Sequence, residues 1–287
     1  MDNAPAPISS LLSGARPTLS FEFFPPKDDA GFETLRSTFA HLQKFNPDFI
    51  SVTYGAMGSN QDSSLAVVQE FAGQVSTIAH LTCIGATTAT IDALLDSYSA
   101  AGVAGILALR GDTPKDFVGN PLGDFRTAND LVNFVNGSTF EVGVAAFPEK
   151  HPESPSLAHD LEVLRIKQES GASFAMTQLF FEIDAYFDLV SSARDAGITI
   201  PIVPGVMPIA NSKQVLRMAE MSGAMVPKAL VDELNSAKDD EAARTIGMRF
   251  SAELTKELIA GGAPGIHIFT LNHHKATSEL LEAAGLA

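Results

Sequence analysis

The sequence holds a single cysteine, Cys83, and no tryptophan. One thiol excludes an internal disulfide framework and any zinc site built from several thiolates, and it fits a reducing compartment. Basic side chains are scarce: 19 Lys and Arg stand against 34 Asp and Glu, a formal charge of −15. Such a field repels nucleic acid and anionic membrane surface, so a phosphorylated ligand would need its own local cluster of cations. Long hydrophobic runs are missing as well. The longest, residues 200–210, is interrupted by Pro201, Pro204 and Pro208 and falls short of a membrane span. Residues 1–17, rich in Ala, Pro and Ser, lack the basic flank and apolar stretch of a signal peptide and read as a flexible N-terminal arm. The expectation is a cytoplasmic protein with neither a nucleic-acid nor a membrane partner.

What is present is enough apolar content, 45% of 287 residues, to bury a large core. Short runs rich in β-branched and aromatic residues recur, each followed by a stretch of helical spacing, which is the alternation of a parallel sheet. Strands are expected at 19–24, 49–54, 77–83, 105–110, 141–147, 174–179, 200–204 and 265–271. Helices are expected at 30–45, 63–75, 90–101, 128–135, 156–171, 184–196, 212–221 and 275–284, with extra helical sequence at 227–235 and 239–259. Eight strands apolar on both faces fit a closed (β/α)8 TIM barrel, an α/β fold filling residues 18–287 as one domain, with the extra helices inserted before the last strand. A doubly wound open sheet is the alternative. Its dinucleotide fingerprint is missing, because Gly102 and Gly105 do not supply the G-x-G-x-x-G spacing, and no phosphate-binding G-x-x-x-x-G-K-[ST] loop occurs.

Barrel chemistry gathers where strands end, so polar residues at those exits are the first candidates. Glu22 lies in Ser20-Phe21-Glu22-Phe23-Phe24-Pro25-Pro26, among rings and prolines that offer little solvation. Burial disfavours a charged carboxylate, which suits a general acid; a Glu paired across the barrel with an Arg or Lys would instead be structural. Both readings stand at this level. Arg110-Gly111-Asp112 ends the fourth strand with opposite charges around a glycine that permits close backbone approach to a ligand, or else forms a strand-end salt bridge. Thr53, Tyr54 and Ala56, and Phe147 with His151, follow apolar strands as either ligand loops or simple turns. Asp160 and Lys167, seven apart, share one helical stripe. Gln178 is an amide in an apolar strand whose donors and acceptor need partners. His80 and Cys83 lack the companions of a metal site, and His273 and His274 read as loop or helix cap, so no metal is expected.

In order along the chain, S-F-E-F-F-P-P-K, F-I-S-V-T-Y-G-A, H-L-T-C-I, L-A-L-R-G-D, F-P-E-K-H-P-E, T-Q-L-F-F, P-G-V-M-P and F-T-L-N run from residue 20 to residue 272. Together they resemble the bacterial methylenetetrahydrofolate reductases in their short catalytic-domain form. That resemblance implies FAD, with NADH or NADPH as co-substrate and NADH preferred, and a ping-pong reduction of 5,10-methylenetetrahydrofolate to 5-methyltetrahydrofolate. It implies Glu22 as the general acid that opens the folate ring, and Asp112 as the carboxylate between flavin and folate. Thr53, Tyr54, Ala56, His80, Arg110, Gly111, Asp112, Ala128, Phe147, His151, Asp160 and Lys167 fall on its cofactor-contacting positions, and Gln178, Gln214, Met218 and His273 on its substrate-contacting ones. The chain departs from the family at Phe147 (often Tyr), at Val163 and Ile166 (polar on the helix that grips the adenosine end of FAD), at Met218 (aromatic) and at His273 (Arg). Weaker hold on FAD and altered affinity for folate are the expected consequences. A homo-oligomer is the expected assembly. Two other classes stay open: a flavin-independent reductase passing hydride directly from nicotinamide to folate, and a non-catalytic flavin or folate binder.

Overall fold

The computed structural model describes residues 7–54, 61–112 and 123–287. Its strands are β1 (Thr18–Phe23), β2 (Phe49–Val52), β3 (Ser76–Thr82), β4 (Gly105–Leu109), β5 (Glu141–Ala146), β6 (Phe174–Thr177), β7 (Ile202–Val203), β8 (Gly205–Val206) and β9 (Gly265–Phe269). The helices between them are α1 (Ile8–Leu12), α2 (Asp29–Gln43), α3 (Gln61–Phe71), α4 (Thr88–Ala101), α5 (Ala128–Val135), α6 (Leu157–Glu169), α7 (Ile183–Asp195), α8 (Ser212–Ser222), α9 (Lys228–Ser236), α10 (Asp240–Ala260) and α11 (His274–Ala284). Helix starts follow their local chemistry. Asp28, Thr87, Thr127, Ser156, Asn211 and Asp239 each cap a helix N-terminus with a side-chain oxygen on an otherwise unpaired backbone N–H.

All strand pairs are parallel, in the order β7-β6-β5-β4-β3-β2-β1-β9-β8. The two ends of that sheet are halves of one segment. β7 pairs with β6 and β8 pairs with β9, with only Pro204 between the halves, so the seventh stave closes the ring. One unbroken strand was expected over 200–204. Proline has no N–H for a ladder, and the chain switches partner there: the Pro204 carbonyl accepts from His267 N at 3.0 Å, while the Pro201 carbonyl accepts from Ala175 N at 2.8 Å. Helices α9 and α10 form the expected insertion before the last strand.

The reading of 1–17 as a loose arm needs a correction within its described part. Residues 8–12 form α1, whose Ile8 and Leu12 are 0% and 4% exposed against Phe49, Ile78, Leu107, Phe174, Met176 and Val203. These are inward residues near the N-terminal ends of the strands, so α1 plugs that end of the barrel. Burying its two aliphatic side chains stabilises the fold by about 2 kcal/mol each. Glu141 on β5 accepts from the Ser9 N–H at 3.1 Å and from its hydroxyl, and Arg16 pairs with Asp48 ahead of β2, so the segment is tied at both ends. No sequence periodicity announces a helix of five residues.

The outward faces of the strands pack on the surrounding helices through Phe21, Phe23, Ile50, Val52, Leu81, Ile106, Val144 and Ile268. This leaves the inward positions of β1, β2, β3 and β9 to Ser20, Glu22, Ser51, His80 and His267, all buried. A polar quadrant thus sits above an apolar floor. Among the described residues no helix is long and apolar enough to cross a membrane.

Candidate active site at the barrel mouth

Parallel strands deliver their C-terminal ends to one rim, and alternate side chains along each strand face the barrel axis. Glu22, near the end of β1, is 7% exposed. Its Oε2 lies 3.6 Å from His80 Nε2 on β3 and 3.7 Å from His267 Nε2 on β9. Among the described residues no Arg or Lys pairs with it, so the structural ion pair that the sequence left open is not what the geometry shows. Burial pulls His80 down to about 4; the Glu22 carboxylate opposes that shift and neighbouring His267 adds to it. His80 is therefore neutral near pH 7, and its Nε2 is a buried nitrogen without a hydrogen-bond partner among the described residues.

The chain just past Glu22 is bolted to the exit of β9. Thr270 Oγ1 donates to the Glu22 carbonyl at 2.6 Å. The Asn272 side chain accepts from Phe24 N at 2.9 Å and donates to the Phe24 carbonyl at 2.8 Å, prolonging the ladder beyond the strand end. Leu271 and Asn272 reach this position in left-handed backbone, φ 50° and 58°. That conformation costs on the order of 1 kcal/mol per residue outside glycine, less for Asn. Strain at a strand exit beside a buried carboxyl group is a feature of functional rims.

A second group forms over β3, β4 and β5. Gly111 follows Arg110 at φ 81°, and a Cβ there would stand 2.9 Å from Thr82 Cβ, so only glycine lets this turn lie against the β3 exit. Arg110 does not close on Asp112. It pairs with Glu153 at 2.6 Å, and Asp112 is exposed. Glu153 N in turn donates to His151 Nδ1 at 3.0 Å, His151 N donates to Asp160 Oδ2 at 2.9 Å, and the Phe147 ring stands edge-on to His151 at 4.7 Å. Lys167, two turns along α6 from Asp160, is 9% exposed, and burial lowers it to about 8 with Asp160 opposing. No carboxylate among the described residues forms an ion pair with it. Thr127 caps α5 just before Ala128, and its carbonyl accepts from the Cys83 thiol at 3.4 Å, which brings the start of α5 against the β3 exit.

Gln178, just past β6, binds the Ala146 carbonyl through its backbone N–H at 2.8 Å and turns its Oε1 back to Leu179 N at 2.8 Å. Gln214 and His273 line one cavity of about 420 Å³ with Pro208, Asn211, Arg244 and Lys275, while Met218 packs half-buried in a neighbouring apolar cluster. Thr53 and Tyr54 are half-buried at the end of β2, and burial raises the Tyr54 phenol to about 12. Ala56 lies outside the described residues. His273 stands at the N-cap of α11 without a side-chain capping bond.

Three residues went unremarked in the sequence: His267, Ser20 and Ser51. Ser20 Oγ lies 2.9 Å from His267 Nδ1 and Ser51 Oγ 3.2 Å from His267 Nε2, all three buried. The signal was available, since His267 occupies an inward position of Gly265-Ile266-His267-Ile268-Phe269, where period two otherwise asks for an apolar or small residue. Glu153 was also missed as the partner of Arg110, because sequence distance hides pairs between loops.

The sequence profile of the family described as Methylenetetrahydrofolate reductase matches residues 8–285. The chain belongs to the methylenetetrahydrofolate reductase family. Relatives include 5,10-methylenetetrahydrofolate reductase of Buchnera aphidicola subsp. Acyrthosiphon pisum, 35% identical and aligned over 93% of this chain and 91% of that one. Methylenetetrahydrofolate reductase (NADH) 1 of Arabidopsis thaliana is 37% identical over 97% of this chain. This member of the methylenetetrahydrofolate reductase family spans about half the length of such plant and fungal relatives. Among solved structures, a Clostridium thermocellum protein described as binding two copies of 5-methyl-5,6,7,8-tetrahydrofolic acid superposes with a TM-score of 0.65 over 96% of both chains at 14% identity, which speaks to the fold.

Proposed function

We propose that the chain reduces 5,10-methylenetetrahydrofolate to 5-methyltetrahydrofolate at the expense of NADH or NADPH, with residues 18–287 acting as one catalytic barrel. The observation that carries this reading is Glu22: a buried carboxyl group at the mouth with no Lys or Arg partner among the described residues and the imidazoles of His80 and His267 beside it. Reduction of the methylene bridge needs one proton and one hydride. Glu22 gives its proton to the bridging nitrogen, the carbon–nitrogen bond opens to an iminium, and hydride adds to the exocyclic carbon, while NAD(P)H leaves as NAD(P)+. Asp112, exposed beside Gly111, offsets the positive charge as the iminium forms. Gln178 supplies amide contacts for the pterin or the nicotinamide, and Gln214 and His273 border the space for the rest of the folate, with Met218 in the apolar cluster beside it.

The chain's residues fit FAD. Lys167 is a buried ammonium without an ion-pair partner among the described residues, and Arg110, His151 and Asp160 join it in one linked group within an otherwise acidic chain. Lys167, Arg110 and His151 would hold the phosphates and ribityl hydroxyls, and Gly111, Thr53, Tyr54, His80, Ala128 and Phe147 would flank the ring system. When bound, FAD supplies the hydride relay that lets nicotinamide and folate use the same face in turn. Ile166 on α6 is 36% exposed, and with Val163 it leaves the outer end of that group apolar, the feature that favours a flavin-independent variant. Anaerobic titration of the purified protein with NADH and NADPH, followed by methylenetetrahydrofolate, separates the two. Bleaching of a flavin spectrum by nicotinamide and its recovery on adding folate are expected; turnover by a protein that takes up no FAD would overturn the flavin reading.

A further inference from the structure

His267 is 1% exposed in the barrel interior, and four residues of three strands surround its ring. Ser20 and Glu22 come from β1, Ser51 from β2 and His80 from β3; β8 beside it offers only Gly205 and Val206, and Phe49 and Phe269 cover the ring. Among the described residues, Glu22 and His80 are thus the titratable groups that face it. The hydroxyl partners assign its tautomer. Ser20 Oγ donates its one proton to the Ile266 carbonyl at 3.2 Å, so toward His267 Nδ1 it acts as acceptor, and Nδ1 carries the hydrogen. Nε2 is then a lone pair, and Ser51 can donate to it at 3.2 Å. With the opposite tautomer the buried Ser51 proton would have no acceptor among the described bonds. One tautomer satisfies every donor; the other strands one.

A lone pair 3.7 Å from Glu22 Oε2 has a chemical consequence. It repels a carboxylate and, already taking the Ser51 proton, offers Glu22 no hydrogen that would stabilise the charged form. We propose that His267, oriented by Ser20, is the positioning residue that keeps the Glu22 carboxyl group in its acid form. Neutral His80, pulled down to about 4 by burial, adds no cation that would favour the carboxylate. The inference rests on the reading of Glu22 as general acid, and it explains how that acid stays loaded without a nearby charge to repel the carboxylate.

Nitrogen NMR of protein labelled with 15N at its seven histidines reads the tautomer directly, with His267→Gln assigning the resonance. The Nδ1–H form is expected in the wild type. Ser20→Ala removes the acceptor of that hydrogen and should turn the ring to the Nε2–H form, which faces Glu22 as a donor and favours the carboxylate. In both variants the alkaline limb of the folate-reducing step should move down by about one pH unit, a tenfold change in rate at a fixed pH on that limb. The nicotinamide-oxidising step should keep its profile. A purely structural role for His267 would lower both steps together and leave the limb in place. An Nε2–H tautomer in the wild type, or an unchanged folate limb in folded Ser20→Ala, overturns the proposal even if Glu22→Gln shows that Glu22 is the acid. If Glu22→Gln retains the folate step, the parent reading falls and this one with it.

Discussion

Replacing His80 by Gln should flatten the dependence of stability on pH between 7 and 5. The imidazole is fully buried on β3 and lowered from 6.5 to about 4, chiefly by burial. An unfolded chain binds a proton at this residue below pH 6.5, and the folded chain resists it until about pH 4. Between those values the unfolded state holds more protons, so stability is present in full above pH 6.5 and is lost as the pH falls toward 4. Over the interval from pH 7 to pH 5 the loss is about 2 kcal/mol, and by pH 4 it approaches about 3 kcal/mol. The other histidines and carboxylates titrate in both proteins, so the difference between their urea-unfolding free energies at each pH isolates this one group. Wild type should lose about 2 kcal/mol more than His80→Gln between pH 7 and pH 5. Parallel curves would refute the reasoning, because they would mean that His80 takes up a proton as readily in the folded barrel as in the unfolded chain, and that the mouth is wet.

Other consequences follow from the same geometry. Gly111→Ala places a Cβ 2.9 Å from Thr82 Cβ at φ 81°, and should cost about 1–3 kcal/mol by thermal unfolding while weakening FAD uptake. Asn272→Ala deletes two hydrogen bonds to Phe24 and leaves a half-buried N–H and C=O unmatched. It should cost about 1–3 kcal/mol and lower kcat/KM for folate more than for nicotinamide, as steady-state kinetics would show. Lys167→Met should weaken FAD binding by about 10- to 100-fold, the worth of one charge-assisted hydrogen bond. Because burial lowers Lys167 to about 8, FAD affinity in the wild type should fall as the pH rises through about 8, and fluorescence titration of the apoprotein checks both.

Much of this site was legible because a parallel strand writes its inward face at every second residue. Glu22, Thr53 and His80 each interrupt an apolar run in this way, while Ser20 and Ser51, two residues earlier on the same inward faces as Glu22 and Thr53, passed unremarked. The strand count, the missing dinucleotide fingerprint and the inserted helices α9 and α10 were readable for the same reason: they depend on local pattern. What depends on long-range contact was not. Nothing near Pro204 indicates that its two sides pair with different strands, and nothing in residues 8–12 indicates that Ile8 and Leu12 meet Phe49 and Phe174. Arg110 looks from sequence like the partner of Asp112, two residues on; the fold gives it Glu153, 43 residues away. His267 was visible as a residue and silent as a role, since its meaning comes from Ser20 and Ser51, which lie 247 and 216 residues earlier.

In the proposed reaction the carboxyl group of Glu22 acts as a proton donor to folate rather than as a framework charge. Rapid mixing of Glu22→Gln, loaded with FAD, with nicotinamide and separately with methylenetetrahydrofolate tests this most directly. Oxidation of the nicotinamide should proceed within about twofold of wild type, while the folate step should slow by about 10² to 10⁴, the usual worth of a positioned acid. Equal slowing of the two steps, or a folate step that survives the substitution, would contradict it.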